Sequence, residues 1–137
     1  SLPSADELIK QLGLTKHPEG GWFRETWRDA HCTAIYYLLK QEERSHWHRI
    51  TTAEIWLFHA GSPLELGIVE DGKVVTHALG PDVSAGQAPQ AVVPPHAWQA
   101  AKSTGAYTLV SCTVAPPFQF ETFELADADF APPDNTR

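Results

Sequence analysis

The sequence predicts an all-β chain, a sandwich or small barrel, preceded by one short helix. Three observations predict it. About eight short apolar-rich segments are each bounded by Gly, Pro, Asp or Ser, with no helical pattern between them. Asp71-Gly72 stands between two of these segments and is a hairpin turn signal. A single capping box, Ser4-Ala5-Asp6-Glu7, opens the chain.

In that box the Ser4 hydroxyl accepts from the amide of Glu7, and the Glu7 carboxylate reaches back to the N-cap amide. Leu8, Ile9 and Leu12 then form one apolar stripe, and Gly13 ends the helix as a left-handed cap. Strands follow at Trp22 to Trp27, Thr33 to Leu39, Glu54 to His59, Leu64 to Glu70, Lys73 to Leu79, Ala91 to Val93, Trp98 to Ala101 and Tyr107 to Ala115. Gly20-Gly21 reads as the turn that leads into the first of these. Asp-Gly tolerates the positive φ that a type I′ turn needs at both central residues, so Leu64–Glu70 and Lys73–Leu79 are expected to pair. One domain over residues 4–126 is expected, with 127–137 as a loosely ordered C-terminal tail that contains Pro132-Pro133 and Asp134-Asn135.

The 137 residues suit one domain with a real core. A formal net charge of −7 and the absence of a basic patch argue against nucleic acid as a partner. The apolar runs fall far short of the ~20 residues of a membrane span, and no signal-peptide pattern stands at the start, so a cytoplasmic protein without membrane attachment is expected. Cys32 and Cys112 form no Cys-x-x-Cys pair and are read as two buried thiols. No Gly-x-Ser-x-Gly elbow, phosphate loop or dinucleotide fingerprint is present, which disfavours covalent serine chemistry and nucleotide binding.

Ser45-His46-Trp47-His48-Arg49-Ile50-Thr51-Thr52-Ala53-Glu54 carries the chemistry. Two histidines at i and i+2 share one face if the segment is extended, and a carboxylate opens the next strand. Two imidazoles and a carboxylate are the ligands of a facial triad for Fe, Mn, Ni or Zn; solvated or hydrogen-bonded histidines are the plainer alternative. By parity Glu54, Trp56 and Phe58 share a strand face, so an inward Glu54 gives an aromatic pocket, or simply a core. His96, Trp98 and Gln99 follow the rigid Pro94-Pro95 turn, where they either converge on the same barrel mouth or lie on the surface. His17, His31 and His77 are read as structural or exposed, His77 having no acidic neighbour at useful spacing.

These residues resemble the cupin superfamily, whose first motif is approximately Gly-x5-His-x-His-x3-4-Glu-x6-Gly. Here His46-x-His48 precedes Glu54, and six residues lead on to Gly61. Five residues separate His48 from Glu54, and no Gly lies six before His46. The second motif, Pro-x-Gly-x2-His, falls on Pro94 to Gln99 and puts Gln99 where a metal-binding His would stand. The chain is similar in more detail to the cupin-5 (DUF985) subfamily. Gly20-Gly21-Trp22-Phe23-Arg24-Glu25-Thr26, Ser45-His46-Trp47-His48-Arg49, Glu54-Ile55-Trp56 and Cys112 to Leu125 follow its segments in order, from about Leu8 to Ala126. The resemblance implies a jelly-roll barrel, usually dimeric, with a pocket of unassigned purpose, and it marks His48 rather than His46 as the recurrent histidine.

The leading function is a metal-assisted enzyme on a small polar or carbohydrate-like substrate, with two alternatives beside it. A metal-assisted isomerase, lyase or oxygenase would hold a divalent ion on His46, His48, Glu54 and Gln99, with His48 and Glu54 as the catalytic pair. A metal-free epimerase, resembling cupins that act on nucleotide-linked sugars, would use His48 as base, an acidic residue to orient it and a Tyr as acid, with Arg24 and Arg49 either clamping an anionic group or serving as structural ion-pair partners. A binding module would hold a small apolar or carbohydrate ligand against Trp56 and Phe58, with His96 and Trp98 at the mouth. Open sheet edges point to a homodimer.

Overall fold

The computed structural model describes residues 2–133. Helix α1 (Ala5–Leu12) starts at the capping box, with both reciprocal bonds made, and ends at Gly13 in the left-handed region. Eleven strands follow: β1 (Thr15–Lys16), β2 (Trp22–Arg28), β3 (Thr33–Lys40), β4 (Arg44–Ile50), β5 (Glu54–Gly61), β6 (Leu64–Glu70), β7 (Lys73–Leu79), β8 (Gln90–Val93), β9 (Gln99–Ser103), β10 (Tyr107–Val114) and β11 (Phe123–Leu125). Two antiparallel sheets face each other, in the orders β1-β2-β3-β10-β5-β8 and β11-β4-β9-β6-β7. This is the jelly-roll barrel that the resemblance implies, with β1, β4 and β11 added to the eight strands expected from the sequence pattern.

The β6–β7 hairpin turns through Asp71 and Gly72, both at positive φ. His77, expected to lack an acidic partner, meets Glu70 across that hairpin at 2.7 Å. Alternation sends Leu64, Leu66 and Ile68 from β6 into the space between the sheets, where they meet Tyr37, Leu39, Trp56, Val110 and Cys112. Strand β3 reads as a continuous apolar run because its outer face is covered too. Leu38, pointing the other way, packs with Leu14, Tyr107 and Leu109 beneath Leu8, Ile9 and Leu12 of α1. Both cysteines are free; Cys112 is buried as expected, whereas Cys32 lies half-buried in the β2–β3 turn, its amide held by the Asp29 carboxylate.

Beyond β11 the chain stays on the second sheet. The Ala126 amide donates to the Trp47 carbonyl, and Phe130 packs on Trp47 and Trp98 with ring centroids 6.0 and 4.8 Å away. Asp134 to Arg137 of the expected tail lie outside the described residues.

Candidate functional site

One end of the barrel encloses a cavity of about 40 Å³ between β3, β4, β5 and β10. What points into it is decided by an irregularity in β4. Ser45 pairs with Ala101 and His48 with Gln99, so three steps along β4 match two along β9. The extra residue breaks the parity on which a shared face for His46 and His48 rests. Ser45 and His48 turn inward and are fully buried, while His46 and Trp47 lie on the outer face of the sheet. The His46 Nε2 is taken by the Asp127 carbonyl at 2.9 Å.

The His48 Nδ1 lies 2.8 Å from the His46 carbonyl, to which it can only donate. The proton is thereby placed on Nδ1, and Nε2 keeps its lone pair inside the barrel. Glu54 opens β5 with its side chain inward, and Gln99 lies beside it with no exposure. The Trp56 indole donates to Gln99 Oε1 at 2.9 Å, and Gln99 Nε2 donates to Glu54 Oε1 at 2.8 Å. Because an indole N–H can only donate, this chain fixes the orientation of the amide.

Two residues the sequence reading passed over complete the site. Glu19 enters the barrel from the loop between β1 and β2, its Oε2 bonded to the Ser45 hydroxyl and its Oε1 3.6 Å from His48 Nε2. His17, read as structural or exposed, is buried on the same wall. Its Nδ1 accepts from the Glu19 amide at 3.1 Å and lies 3.4 Å from Glu19 Oε1. The loop reaches this depth because of Gly20-Gly21. Both glycines have positive φ, and a Cβ on Gly20 would lie 2.0 Å from the Arg44 carbonyl oxygen. An acid directly before a Gly-Gly turn, with a histidine two residues earlier, was the available signal; it points to a backbone able to pass close to another strand.

Burial dominates the electrostatics. Desolvation pushes the Glu19 carboxyl up to about 7 against the hydrogen bonds from Ser45 and Tyr37. Glu54 is likewise raised to about 7 by burial, with the His48 ring opposing the shift and Glu19 adding to it. Burial lowers His17 to about 4, and His48 repels its proton further. His48 itself is lowered, again by burial first, with Glu54 pulling the other way. At neutral pH the cavity therefore holds two neutral imidazoles and two carboxyls near their midpoints.

The structure brings together His48, Glu54, Gln99 and Trp56 of the expected site residues. Arg24 instead donates to the Leu12 carbonyl at 2.7 Å and lies over Tyr36, closing the end of α1 on the outside. Arg49 pairs with Glu124 at 2.9 Å and stacks 4.4 Å from the Trp98 ring, also outside. His96 occupies an exposed turn at positive φ, its amide bonded to the Ile50 carbonyl. Phe58 packs against the core and takes no part in the cavity wall.

The four expected metal ligands do not form a coordination set. His46 faces away, and Gln99 presents its NH₂ group to Glu54 while its carbonyl oxygen is occupied by Trp56. Among the described residues no group of three or more His, Cys, Asp or Glu side chains is arranged to hold a metal ion.

No helix among the described residues is long and apolar enough to cross a membrane. No curated protein matches the chain. Solved structures do. A protein from Shewanella oneidensis is 37% identical, with a TM-score of 0.88 over 92% of this chain and 86% of that one. A hypothetical protein from Leishmania major is 32% identical, with a TM-score of 0.86 over 90% and 88%. Oxalate decarboxylase from Bacillus subtilis, at 13% identity, shares the fold alone, with a TM-score of 0.66 over 81% of this chain and 29% of that one. The family model described as cupin superfamily (DUF985) matches residues 6–126, so the chain belongs to the DUF985 family of the cupin superfamily.

Proposed function

We propose that the protein is an enzyme that moves a proton on a small carbonyl compound, an isomerase or epimerase. The observation that carries this reading is the convergence of His48, Glu54, Glu19 and His17 on one cavity, with two carboxyls brought to about 7. His48 Nε2 is the base. It is unprotonated at neutral pH, and its ring is fixed by the Nδ1–H bond to the His46 carbonyl. It takes a proton from the carbon beside the carbonyl; the C–H electron pair moves into the new C=C bond and the carbonyl oxygen receives a proton from the Glu54 carboxyl. Return of a proton to carbon, with the hydroxyl proton going back to Glu54, completes an isomerisation with no net oxidation. Gln99 positions Glu54, and Trp56 positions Gln99.

Incubation with a panel of small sugars and hydroxycarbonyl compounds in deuterated water tests this. Exchange at carbon that survives chelator and disappears in His48→Ala is the expected result. No exchange with any of them, or exchange lost on chelation and restored by a divalent ion, overturns it.

We also propose a homodimer through β2. Its inner edge pairs with β3, but on the other side only two residues of β1 pair with it. The rest of that edge is open, and Trp27 on it is 57% exposed. Light scattering at micromolar concentration should give twice the mass of one chain; the mass of a single chain excludes the dimer.

A further inference from the structure

Resting on the reading of the cavity as a small-molecule site, we infer that its ligand is a small organic cation with N–H donors, a protonated amine. Three features of the geometry support this. First, the cavity's ionisable wall has the wrong sign for an anion. Glu19 and Glu54 line it and Glu25 sits at its rim, while among the described residues no Lys or Arg contributes to the wall.

Second, acceptors face one another there without a donor between them. His48 Nε2 has no hydrogen-bond partner among the described residues, although the side chain is only 2% exposed. It looks across 3.6 Å at Glu19 Oε1, which also lies 3.4 Å from His17 Nδ1, whose lone pair already accepts from the Glu19 amide. Lone pairs at these distances repel unless a proton lies among them. A carboxyl proton on Glu19 supplies one in the empty site; an ammonium group supplies three and releases the carboxyl to ionise. Third, the remaining wall is aromatic. Phe23, Tyr37, Trp56, Phe118 and Phe120 line the space, and aromatic ring faces attract organic cations. The small volume restricts the ligand to a few heavy atoms.

The same geometry sets the pH dependence. Facing the two carboxyls are His17 from the loop after β1, Tyr37 from β3, His48 from β4 and Cys112 from β10, with Glu25 of β2 at the rim paired to Arg28. Burial keeps both rings uncharged and the thiol and phenol protonated, so the carboxyls alone gain charge as pH rises past 7. An amine should bind more tightly above pH 7 than below it.

The test is calorimetric titration of the full chain with ethylammonium chloride, and with ethanol and sodium acetate as neutral and anionic counterparts of similar size, at pH 8 and pH 6. The expected result is ethylammonium binding about tenfold or more tighter than either counterpart at pH 8, weaker at pH 6, and weakened about tenfold in Glu19→Gln and in Glu54→Gln. Should a Gln variant fail to fold, the comparison of the three probes on the unaltered chain decides. Acetate or ethanol binding as well as ethylammonium, no saturable ethylammonium binding, or uptake of Mn²⁺ or Zn²⁺ alone overturns the inference. Deuterium exchange without amine binding removes the inference and leaves the proton-transfer reading standing; amine binding without exchange does the reverse.

Discussion

The two faces of β4 at its junction with β9 carry nearly the same residue types and do opposite things. Inside are His48 and Gln99, with Trp56 reaching across from β5; outside are His46, Trp47, Arg49 and Trp98. On the inner face His48 Nδ1, Gln99 and the Trp56 indole are each held by a specific partner while His48 Nε2 is left open, and burial moves the ionisable groups toward neutrality. On the outer face the same chemistry is used for packing. Arg49 lies on Trp98 and pairs with Glu124, Phe130 covers Trp98 and Trp47, and His46 anchors the chain after β11. One extra residue in β4 separates these fates. Residue type alone does not make a site; what matters is which solvent the side chain is turned toward.

The largest effect should come from exchanging the two histidines in turn. His48→Ala removes the base whose unpartnered lone pair opens onto the cavity, and should lower the exchange rate by roughly 10²–10⁴-fold. His46→Ala loses one hydrogen bond to Asp127 and should leave the rate within about twofold, with stability lower by about 1 kcal/mol. Rates measured side by side on folded variants break the comparison if both substitutions act alike.

The next effect is on stability against pH. Glu19 and Glu54 are raised in the fold, so the folded chain holds more protons than the unfolded chain between about 4.5 and 7. Their contribution is fully present below about 4.5 and is lost as pH rises through 7. For a carboxyl moved from 4.5 to about 7 that loss is roughly 3 kcal/mol, an upper figure. His17, lowered from 6.5 to about 4, acts in the opposite sense and loses stability as pH falls through the same window, partly offsetting the carboxyls. Glu54→Gln removes one carboxyl and keeps an acceptor for Gln99. Denaturant melts should show the variant gaining on the parent as pH rises from 5 to 8; a parallel pair of curves would mean that Glu54 is not ionised at the cost of burial.

Much of the fold was legible in the sequence because it is written in local signals. The capping box, the Asp71-Gly72 turn and the alternation of β5 and β6 each specify their own geometry. The site was legible only in part, since a bulge has no fixed composition. His46 and His48 share one face if Ser45 to His48 is a regular extended segment, and only its register against β9 shows that it is not. Glu19 and His17 were hidden for a different reason. They arrive from a loop, and only the close approach of Gly20 to the Arg44 carbonyl shows why that loop can enter the barrel. Arg24 and Arg49 read in sequence either as anion clamps or as structural ion-pair partners, and what they meet, a helix-end carbonyl and a ring in the turn before β9, is set by the tertiary fold.

A smaller effect sharpens the inner side. Trp56→Phe keeps most of the buried ring but removes the N–H that holds Gln99 Oε1. The amide is then free to turn over, and a buried carbonyl without a donor costs roughly 1–3 kcal/mol. Because Gln99 also holds Glu54, the pH at which the exchange rate falls should move with the substitution, a change that loss of packing alone would not produce. An unaltered pH profile would reduce Trp56 to a core residue.

The smallest effect belongs to the outer face. Arg49 is 4.4 Å from the Trp98 ring and paired with Glu124, with both charged side chains substantially open to water. An exposed ion pair contributes at most about 1 kcal/mol, and an exposed cation over a ring contributes a similar amount. Arg49→Ala should therefore lower stability by about 1 kcal/mol or less in denaturant melts, with the loss shrinking at high salt, and should leave both exchange and ethylammonium binding unchanged. Activity that falls with Arg49 while the fold holds would mean the outer face of β4 also contacts substrate. The division of the strand into a chemical side and a packing side would then be wrong at the residue where it is easiest to check.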